Sequence, residues 1–543
     1  MTETDIDRTV AHWASRYGSA ELHLGALLCD RHDGDALRLL AGDRESRLSY
    51  AELAYRSKQF AGVLAELGIG KGDRVGVLLG RSEELLIATL GIWRVGAVHL
   101  PLFTAFGPDA VGYRLRTGLA KALVTDAGNR GKLEAREDVA HVVCFEPGAP
   151  GDVDAEAALA GATPVEDSVL TGDDPFVLLF TSGTTGGAKG VELPVRALGS
   201  IHSYMTFSLD VRSEDSYWNI ADPGWGYGLW FAVIGPLLLG NTTTLSADPF
   251  DPQETVARLA RLGITNLAGS PTAFRALRAA GVPEAVSRRL RLRAVSSAGE
   301  PLNPELLSWS TRALGVSIHD HYGQSEVGMP VGFHHHPALR RPPVAGSMGT
   351  SSPGFRVVVL SDAGEELGPD ADGELAVDVE RSPLYWFRGY DGRPDETAER
   401  FRHGSRYHLT GDTAAVDAAG LLRSAARADD VITSSGYRIG PADVENALVA
   451  HPAVVEAAVV GVPDALRGEA VTAFVVVSDR AAGDDELAVA LQDHVRARLS
   501  KHLFPRHVVM VEALPRTPSG KVQRTVLRQQ WATGAFATRV TPT

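Results

Sequence analysis

The sequence predicts an α/β protein with parallel sheets, followed by a small α+β domain at the C-terminal end. The chain has 543 residues, more than one hydrophobic core normally serves, so we expect several subdomains. Helical and strand patterns alternate from residue 46 to residue 170, which is typical of parallel strands covered by helices. Towards the C-terminus, one helix, two strands and another helix follow one another closely, which indicates the separate α+β domain.

The composition is that of an ordinary globular protein, with 44% apolar and 22% charged residues. A net charge of −14 argues against a nucleic-acid-binding protein. The C-terminal end is nevertheless rich in Arg and Lys, which indicates either a surface for a phosphorylated ligand or a solvated face. Only Cys29 and Cys144 occur, so we expect no disulfide framework and a cytoplasmic location.

No membrane segment is expected. The N-terminus lacks the apolar core of a signal peptide. The longest apolar run, residues 229–239, is too short to span a bilayer.

The first elements can be placed along the chain. Ser49, with Glu52 three residues later, predicts the start of a capped helix. A strand, a helix and a second strand are then predicted at residues 74–79, 82–96 and 97–102. Residues 145–172 are rich in Ala, Gly, Asp and Glu, and we expect a surface connection there.

The central motif follows an apolar run, residues 176–180, whose length suits a buried strand. A loop of Thr, Ser and Gly comes next and ends in a lysine. Glycines leave backbone amides uncovered, so the loop predicts a concave anion site to which the hydroxyls add donors. The predicted ligand is a polyphosphate, most simply ATP, held by Thr181, Ser182, Gly183, Thr184, Thr185, Gly186 and Lys189.

Two other phosphate loops are excluded. A Walker loop needs Gly before its lysine and Ser or Thr after it, but Ala188 and Gly190 flank Lys189. The Gly-x-Gly-x-x-Gly spacing of protein kinases is also absent.

Polar motifs further along the chain supply what an ATP site needs. Tyr322 can stack on a purine, Ser325 can donate to a phosphate oxygen, and Glu326 can bind Mg²⁺. Asp412, after a tight Thr-Gly turn, can accept hydrogen bonds from two ribose hydroxyls. The three consecutive histidines at 334–336 predict no metal site, because adjacent residues of an extended chain point apart.

These motifs, in this order, resemble those of the adenylate-forming superfamily, which comprises acyl-CoA synthetases, luciferases and the adenylation domains of peptide synthetases. The chain departs from the family pattern at Ala188, where Pro is usual, and at Ala426, where Gly is usual. The resemblance implies a large N-terminal domain, residues 1–428, of α/β subdomains with parallel sheets plus a β-subdomain. It also implies a small mobile α+β C-terminal domain, residues 429–543.

The resemblance assigns roles to the matching positions of this chain. Asp429 would be the hinge and Lys521 the catalytic lysine, with Ser325 and Glu326 at the α-phosphate and Glu326 as the metal ligand. The other implied ATP-binding residues are Gly299, Glu300, Pro301, His321, Tyr322, Gly323, Gln324, Asp412, Arg427 and Arg438. The implied CoA-binding residues are Ser435, Gly436 and Tyr437, and the implied acyl-pocket residues are Trp225, Tyr227, Gly228, Gly323 and Gly328.

The implied reaction has two halves and uses ATP, Mg²⁺ and CoA. A carboxylate attacks the α-phosphorus of ATP to give acyl-AMP and pyrophosphate, and CoA then displaces AMP. Rotation about the hinge would exchange Lys521 for the CoA-binding segment. The resemblance also suggests a lysine acetyltransferase that acts on Lys521, since acetylation would remove its charge.

Two alternatives stay open at this point. The acyl group could pass to a carrier protein or another nucleophile instead of CoA. The chain could also be a non-catalytic homologue, although the intact Glu326, Asp412 and Lys521 argue against that.

The motifs look most like those of acetyl- and medium-chain acyl-CoA synthetases. Acetate-specific relatives carry Trp-Trp-Gln where this chain has Tyr322, Gly323 and Gln324, and their second Trp forms the pocket floor. Gly323 therefore predicts a deeper pocket, and we expect acids of about four to eight carbons, or small aryl acids, to be preferred to acetate. A bulky residue such as Met329 could close the same space. The acid itself, the oligomeric state and the pathway stay open.

Overall fold

The computed structural model describes residues 1–133, 138–146, 148–181, 188–300, 302–427, 430, 432–434, 437–464, 467–478, 485–499, 503–517 and 522–536. The predicted site residues outside this set are Ser182, Gly183, Thr184, Thr185, Gly186, Pro301, Asp429, Ser435, Gly436 and Lys521. For Arg427, Tyr437 and Arg438 the backbone is described and the side chain is not.

The strands form two large sheets and two smaller ones. The strands of the large sheets are β1 (Asp35–Ala41), β2 (Arg44–Ser49), β3 (Arg74–Leu78), β4 (Val98–Pro101), β5 (Ala120–Asp126), β6 (His141–Phe145), β7 (Val153–Asp154), β8 (Pro175–Thr181), β9 (Lys189–Pro194), β10 (Tyr217–Asn219), β11 (Thr243–Ser246), β12 (Asn266–Gly269), β13 (Ala294–Ala298), β14 (Ile318–Gln324), β15 (Gly328–Gly332) and β16 (Thr350–Ser351). Those of the smaller sheets are β17 (Val357–Leu360), β18 (Gly373–Asp378), β19 (Tyr407–Val416), β20 (Leu422–Arg427), β21 (Ile432–Ser434), β22 (Tyr437–Ile439), β23 (Val454–Asp464), β24 (Gly468–Val477) and β25 (His507–Met510).

Helices cover the sheets. They are α1 (Glu3–Tyr17), α2 (Tyr50–Glu66), α3 (Glu83–Arg94), α4 (Pro108–Thr117), α5 (Ala127–Arg130), α6 (Ala155–Gly161), α7 (Leu198–Ser203), α8 (Gly226–Gly228), α9 (Gly235–Leu239), α10 (Pro252–Arg261), α11 (Pro271–Ala280), α12 (Glu284–Ser287), α13 (Pro304–Ala313), α14 (Pro394–Glu399), α15 (Pro441–Val449), α16 (Asp485–Arg498) and α17 (Arg524–Ala532). Single π-helical turns occur at Ala26–Asp30, Tyr204–Ser208 and Leu229–Ile234.

The seven-stranded sheet has the order β7-β6-β5-β3-β4-β8-β9 and is parallel except for β9. The predicted elements of this region are confirmed: strands β3 and β4 flank helix α3, and the Ser49 hydroxyl accepts the Glu52 amide at 3.1 Å at the start of α2. Residues 145–172 are more structured than expected, because they contain β7 and α6. The apolar run at 176–180 is the buried strand β8, next to β4.

The nine-stranded sheet has the order β16-β15-β14-β13-β12-β10-β11-β1-β2. The strands in its middle, from β14 to β1, are parallel. At the two edges, β15 is antiparallel to β14, β16 is antiparallel to β15, and β2 is antiparallel to β1. In open parallel sheets, ligands bind beyond the carboxyl ends of the strands. Here the predicted site residues after β13 and at the end of β14 lie at one such edge.

The two smaller sheets complete the chain. Strands β17 to β20 form an antiparallel sheet, the β-subdomain that the resemblance implied. Strands β21 to β25 and helices α15 and α16 share a hydrophobic core of their own, which includes Val444, Val475 and Leu491. The mixed α/β fold is confirmed, and the domain boundary at residues 428 and 429 stays a prediction.

Cys29 and Cys144 are buried and not joined to each other. Within the described part of the chain, no helix has the length and apolar character needed to cross a membrane.

Candidate active site

The ends of the predicted phosphate loop are held by a β-hairpin. Strand β8 ends at Thr181 and β9 begins at Lys189, and these two residues are paired across the antiparallel ladder. The pairing brings the first and last residues of the loop together and places Lys189 at its base. Residues 182–187 lie outside the described residues.

Glu326 is the centre of a buried polar cluster. Its side chain follows β14, and the residue is 7% exposed. The Tyr390 hydroxyl donates to Glu326 Oε1 at 2.7 Å, and Arg400 Nε donates to the Tyr390 oxygen at 3.0 Å. Lys189 Nζ lies 5.0 Å from the centroid of the Tyr390 ring and 2.9 Å from Glu396 Oε2. The lysine of the phosphate loop and the predicted metal ligand are thus joined through one tyrosine.

The surroundings of Tyr390, Arg400 and Glu396 shift the pKa values of these three groups. Burial, and then the Glu326 charge, raise the pKa of the Tyr390 phenol, so it stays neutral and donates its proton. Burial opposes the charge of Arg400, but Tyr390, Glu326 and Asp412 outweigh it and raise the pKa of the guanidinium. The hydrogen bond from Lys189 lowers the pKa of the Glu396 carboxyl.

Asp412 lies beside Tyr322 and Gln324. The Tyr322 hydroxyl and Gln324 Nε2 both donate to Asp412 Oδ2, the second at 2.7 Å. Among the described residues no donor reaches Oδ1. Arg427 pairs with Asp412 across β19 and β20, so these two predicted ATP-binding residues are neighbours. The stacking of Tyr322 on a purine stays a prediction, and its hydroxyl orients the Asp412 carboxylate.

The Gly299-Glu300 turn follows β13. Gly299 has φ +104°, and a Cβ there would lie 3.6 Å from the Trp225 indole, so the ring packs directly beside this turn. The Glu300 carboxylate accepts hydrogen bonds from Thr272 Oγ1 at 2.7 Å and from Arg275 Nη2 at 2.5 Å. The Glu300 side chain is therefore already hydrogen-bonded to other residues of the protein.

The ring of His321 is also occupied. It is buried, with Nδ1 2.7 Å from the Tyr204 hydroxyl and Nε2 2.7 Å from the Phe333 carbonyl. Both ring nitrogens of this side chain are therefore already hydrogen-bonded within the protein, and its contact with ATP stays a prediction.

The C-terminal part of the chain reaches this edge through Arg516. Its Nη1 lies 3.4 Å from Thr272 Oγ1, and its Nη2 donates to Glu456 at 2.8 Å. A bridge between Arg516 and Val522 brings together the two ends of the segment that contains Lys521. Lys521 itself, like Asp429, Ser435, Gly436 and Pro301, lies outside the described residues.

One of the predicted acyl-pocket residues, Gly328, lines a narrow apolar crevice. Gly328 lines it together with Phe231 and Trp386, and the Tyr227 ring lies 5.2 Å from that of Phe231. Gly228 has a structural explanation, because a Cβ there would lie 2.0 Å from the Asp222 carbonyl oxygen.

The space beside Gly323 is not open, contrary to the expectation. A Cβ at this position would lie 2.2 Å from the Gly328 carbonyl oxygen and 2.3 Å from Met329 Sδ. Strands β14 and β15 pair here with a register shift, which brings Met329 against Gly323. The Gly328 carbonyl and the Met329 side chain therefore close the space in which an open pocket floor was expected.

The residues present fit Mg²⁺. This ion prefers oxygen ligands and is usually bound by one or two carboxylates together with substrate phosphates. Glu326 offers such a carboxylate, one oxygen of which is fixed by Tyr390. Across the described ranges there is no group of three or more His, Cys, Asp or Glu side chains that could hold a metal by itself. The donor set suits an ion shared with ATP.

Sequence reasoning missed three residues at this site. Tyr390 and Arg400 connect Glu326, Lys189 and the Thr-Gly-Asp turn, and their only signal is a place in the aromatic-rich run before that turn. Asp320, on β14, has a buried Oδ1 without a partner among the described residues, and burial raises the pKa of its carboxyl to about 8.

A separate cavity of about 270 Å³ lies beyond the carboxyl ends of β1, β10 and β11. Its walls include Arg81, Trp218 and Arg258, and none of the predicted site residues lines it. It is therefore distinct from the cluster around Glu326.

Comparison with known proteins agrees with this geometry. The family model described as AMP-binding enzyme matches residues 29–390, and the AMP-binding enzyme C-terminal domain matches residues 443–521. The chain is 34% identical over 495 residues to acetyl-coenzyme A synthetase of Bacillus subtilis (strain 168), covering 89% of this chain and 85% of that protein. It is 34% identical over 511 residues to the mitochondrial acyl-coenzyme A synthetase ACSM3 of Mus musculus, covering 90% and 85%.

Among solved structures, the crystal structure of Brucella canis acyl-CoA synthetase matches with a TM-score of 0.77 and 45% identity, covering 98% of this chain and 99% of that one. The fold and the site define an adenylate-forming ligase. The chain belongs to the AMP-binding enzyme family, and it is an AMP-forming acid–CoA ligase that uses ATP, Mg²⁺ and CoA.

Proposed function

We propose that this ligase activates a short- or medium-chain fatty acid, or a small aryl acid, and transfers the acyl group to free CoA. The observation that carries the proposal is the connected cluster of Lys189, Tyr390, Glu326, Arg400 and Asp412. Cations at both ends of this cluster and a carboxylate in its middle suit a polyphosphate with its metal ion.

In the first half-reaction the substrate carboxylate forms a bond to the α-phosphorus of ATP, and the bond to the β-phosphate oxygen breaks. This in-line displacement needs positioning and charge neutralisation more than covalent help. Lys189 and the loop before it hold the β- and γ-phosphates. Ser325 and Glu326 lie at the α-phosphate, where Mg²⁺ supplies neutralising charge when bound.

The nucleoside is held at the edge of the nine-stranded sheet. Asp412 Oδ1 accepts the ribose hydroxyls, because Tyr322 and Gln324 already occupy Oδ2. In this proposal the adenine lies against the Gly299-Glu300 turn. Arg427 and Arg438 complete the nucleotide contacts in this proposal.

The two half-reactions use two arrangements of domains 1–428 and 429–543, with Asp429 as the hinge. The contact of Arg516 with Thr272 supports a docked state for the first half, in which Lys521 reaches the carboxylate and the α-phosphate. Rotation then brings Ser435, Gly436 and Tyr437 to CoA.

Three finer assignments belong to the same proposal. Free CoA is the acceptor in this proposal, and the alternative acceptor is a carrier protein. Assays of thioester formation with each acceptor separate the two. Acetylation of Lys521 by a lysine acetyltransferase would stop the first half-reaction, since it removes the charge. A cytoplasmic location suits the two buried, unlinked cysteines, and cell fractionation tests it.

The decisive experiment assays the two half-reactions separately. We expect acid-dependent pyrophosphate release with a panel of acids, and acyl-CoA formation when CoA is added. The Lys521→Ala variant should release no pyrophosphate. It should still convert supplied acyl-adenylate and CoA to the thioester. Lys71→Ala, which removes a surface ion pair with Asp174, is the matched control and should change neither. Equal loss in both halves would contradict the role of Lys521.

A further inference from the structure

We infer that the acyl pocket presents a hydrogen-bond acceptor, the Tyr227 hydroxyl oxygen, and therefore selects acids whose acyl group carries a hydrogen-bond donor such as a hydroxyl or amino group. The inference rests on the proposed function and on the resemblance, which implies that Tyr227 belongs to the acyl pocket. It follows from a chain of three buried hydrogen bonds whose direction is fixed at one end.

The fixed end is His321. Its Nε2 lies 2.7 Å from the Phe333 carbonyl oxygen, which can only accept, so Nε2 carries the proton. Burial lowers the pKa of this imidazole to about 3, so the ring is neutral and Nδ1 has a lone pair. The ring also packs against Gly332, where a Cβ would lie 2.4 Å from His321 Cδ2. The tautomer and the ring orientation are therefore both determined.

The protonation of His321 fixes the donor and acceptor in each of the next two hydrogen bonds. His321 Nδ1 lies 2.7 Å from the Tyr204 hydroxyl, which must donate to it. The Tyr204 oxygen lies 3.1 Å from the Tyr227 hydroxyl, and its own proton is already used. Tyr227 must therefore donate to Tyr204. The reverse direction would place two lone pairs against each other between Tyr204 and His321.

Tyr227 is thus left with lone pairs and no free proton. Its segment lies at the reaction centre, because a Cβ on the adjacent Gly226 would be 3.9 Å from Ser325 Oγ, and Trp225 covers Gly299. Its ring contacts Phe231, which lines the apolar crevice with Gly328. A substrate group that meets the Tyr227 oxygen can bond to it only by donating.

This arrangement predicts discrimination between acids of equal size. A hydroxyl on the acyl chain can donate to Tyr227, whereas a carbonyl at the same carbon places one acceptor against another. A buried site that pairs a substrate donor disfavours the analogue without it, because the site's own polar atom is then unpaired. We expect the hydroxy acid to be preferred over the oxo acid by about tenfold in kcat/KM.

The test compares hexanoate with its hydroxy and oxo derivatives at carbons 3, 4 and 5, scored by pyrophosphate release. The readout is the largest hydroxy-to-oxo ratio among the three positions. Two variants accompany the wild-type enzyme. Tyr227→Phe removes the acceptor and should bring the ratio close to one. Tyr204→Phe releases the Tyr227 proton towards the pocket and should bring the ratio below one.

The outcomes separate the inference from the function on which it rests. Release of pyrophosphate with hexanoate but a wild-type ratio of one or less overturns the inference and leaves the function intact. A high ratio that survives in Tyr227→Phe also overturns it, because another group would then recognise the donor. If Tyr204→Phe does not fold, the comparison of wild type with Tyr227→Phe still decides. Absence of pyrophosphate release with every acid tested contradicts the proposed function itself.

Discussion

At the scale of single residues, the site depends on side chains that fix one another's orientation. Glu326 has one oxygen bonded to Tyr390, and Asp412 has one oxygen bonded to Tyr322 and Gln324. In each case a neutral donor occupies one face of a carboxylate and leaves the other for a ligand. Hydrogen bonds to a charged group contribute about 1.5–3 kcal/mol each, so these phenols matter although they need not touch the reacting atoms.

Tyr390→Phe should therefore weaken the first half-reaction. We expect acid-dependent pyrophosphate release to fall about tenfold at low Mg²⁺ and to recover partly at high Mg²⁺, because the Glu326 carboxylate loses the bond that orients it. Steady-state assays over a range of Mg²⁺ concentrations measure this. Tyr385→Phe is the matched control, since Tyr385 bonds to His408 instead. An unchanged rate at low Mg²⁺ would show that Tyr390 does not position Glu326.

Met329→Ala should lengthen the acids that are accepted. Met329 Sδ occupies the space beside Gly323, and burying one more methylene contributes about 0.8 kcal/mol. Three more methylenes should then favour longer acids by about 2.4 kcal/mol, or roughly fifty-fold in kcat/KM. The measurement is kcat/KM for straight-chain acids of increasing length. Met348→Ala, a buried methionine in another cluster, is the control. An unchanged length preference would place the end of the pocket elsewhere.

At the scale of elements, the segment with Lys521 is tied to the residue after the predicted hinge. Asp430 accepts from Arg528 at 2.7 Å and from Arg524 at 3.4 Å, and Arg524 also donates to Glu445 at 2.8 Å. Arg524 begins α17, and Glu445 lies in α15. Because Arg524 is three positions beyond Lys521, these ion pairs would transmit the proposed rotation at Asp429 to the region around the lysine.

Asp430→Asn should loosen that connection. We expect pyrophosphate release to fall about tenfold, because one member of a partly buried ion-pair network has lost its charge. Conversion of supplied acyl-adenylate and CoA should be retained, since Lys521 is not needed there. Asp493→Asn, which removes an exposed pair with Arg496 within α16, is the control. A similar loss in both half-reactions would indicate general destabilisation instead.

At the scale of the whole molecule, the interior contains many neutral histidines. Burial lowers their pKa to about 3 or 4, and six of them are His99, His202, His319, His321, His334 and His408. Unfolding exposes these imidazoles, and they then bind protons below a pH of about 6.5. The unfolded state therefore takes up more protons, and the free energy of unfolding falls as the pH decreases.

The sign of this effect gives a prediction. Stability should be highest above pH 6.5 and should decrease on acidification, by up to about 1.4 kcal/mol per pH unit for each buried histidine. His99 is the simplest to test, because both ring nitrogens are buried without a partner in the part of the chain that the structure describes. His99→Leu should raise the melting temperature at pH 7.5, and its advantage over the wild type should grow at pH 5.5.

Thermal unfolding at pH 7.5, 6.5 and 5.5 measures both effects. His12→Gln is the control, because His12 lies on the exposed face of α1. A melting temperature that does not change between pH 7.5 and 5.5 would contradict the assignment of buried neutral histidines. If the gain in melting temperature from His99→Leu is the same at every pH, the gain comes from packing and not from proton binding.

The sequence by itself determined the fold class and most of the chemistry. The alternation of helix and strand, the cap at Ser49 and the apolar run that became β8 are local signals, so they could be read without the fold. The loop that ends in Lys189, and the carboxylates Glu326 and Asp412, were recognised because their neighbours in the chain form motifs.

Only the tertiary structure decided which residues these groups meet. Tyr390 reaches Glu326 across 64 positions and Tyr322 reaches Asp412 across 90, and no local pattern encodes such a contact. Met329 fills the space beside Gly323 because of a register shift between two strands, which a residue list cannot show. The direction of the hydrogen bonds from Tyr227 to His321 likewise depends on a carbonyl that the fold supplies, since a proton's position is set by its partners in space.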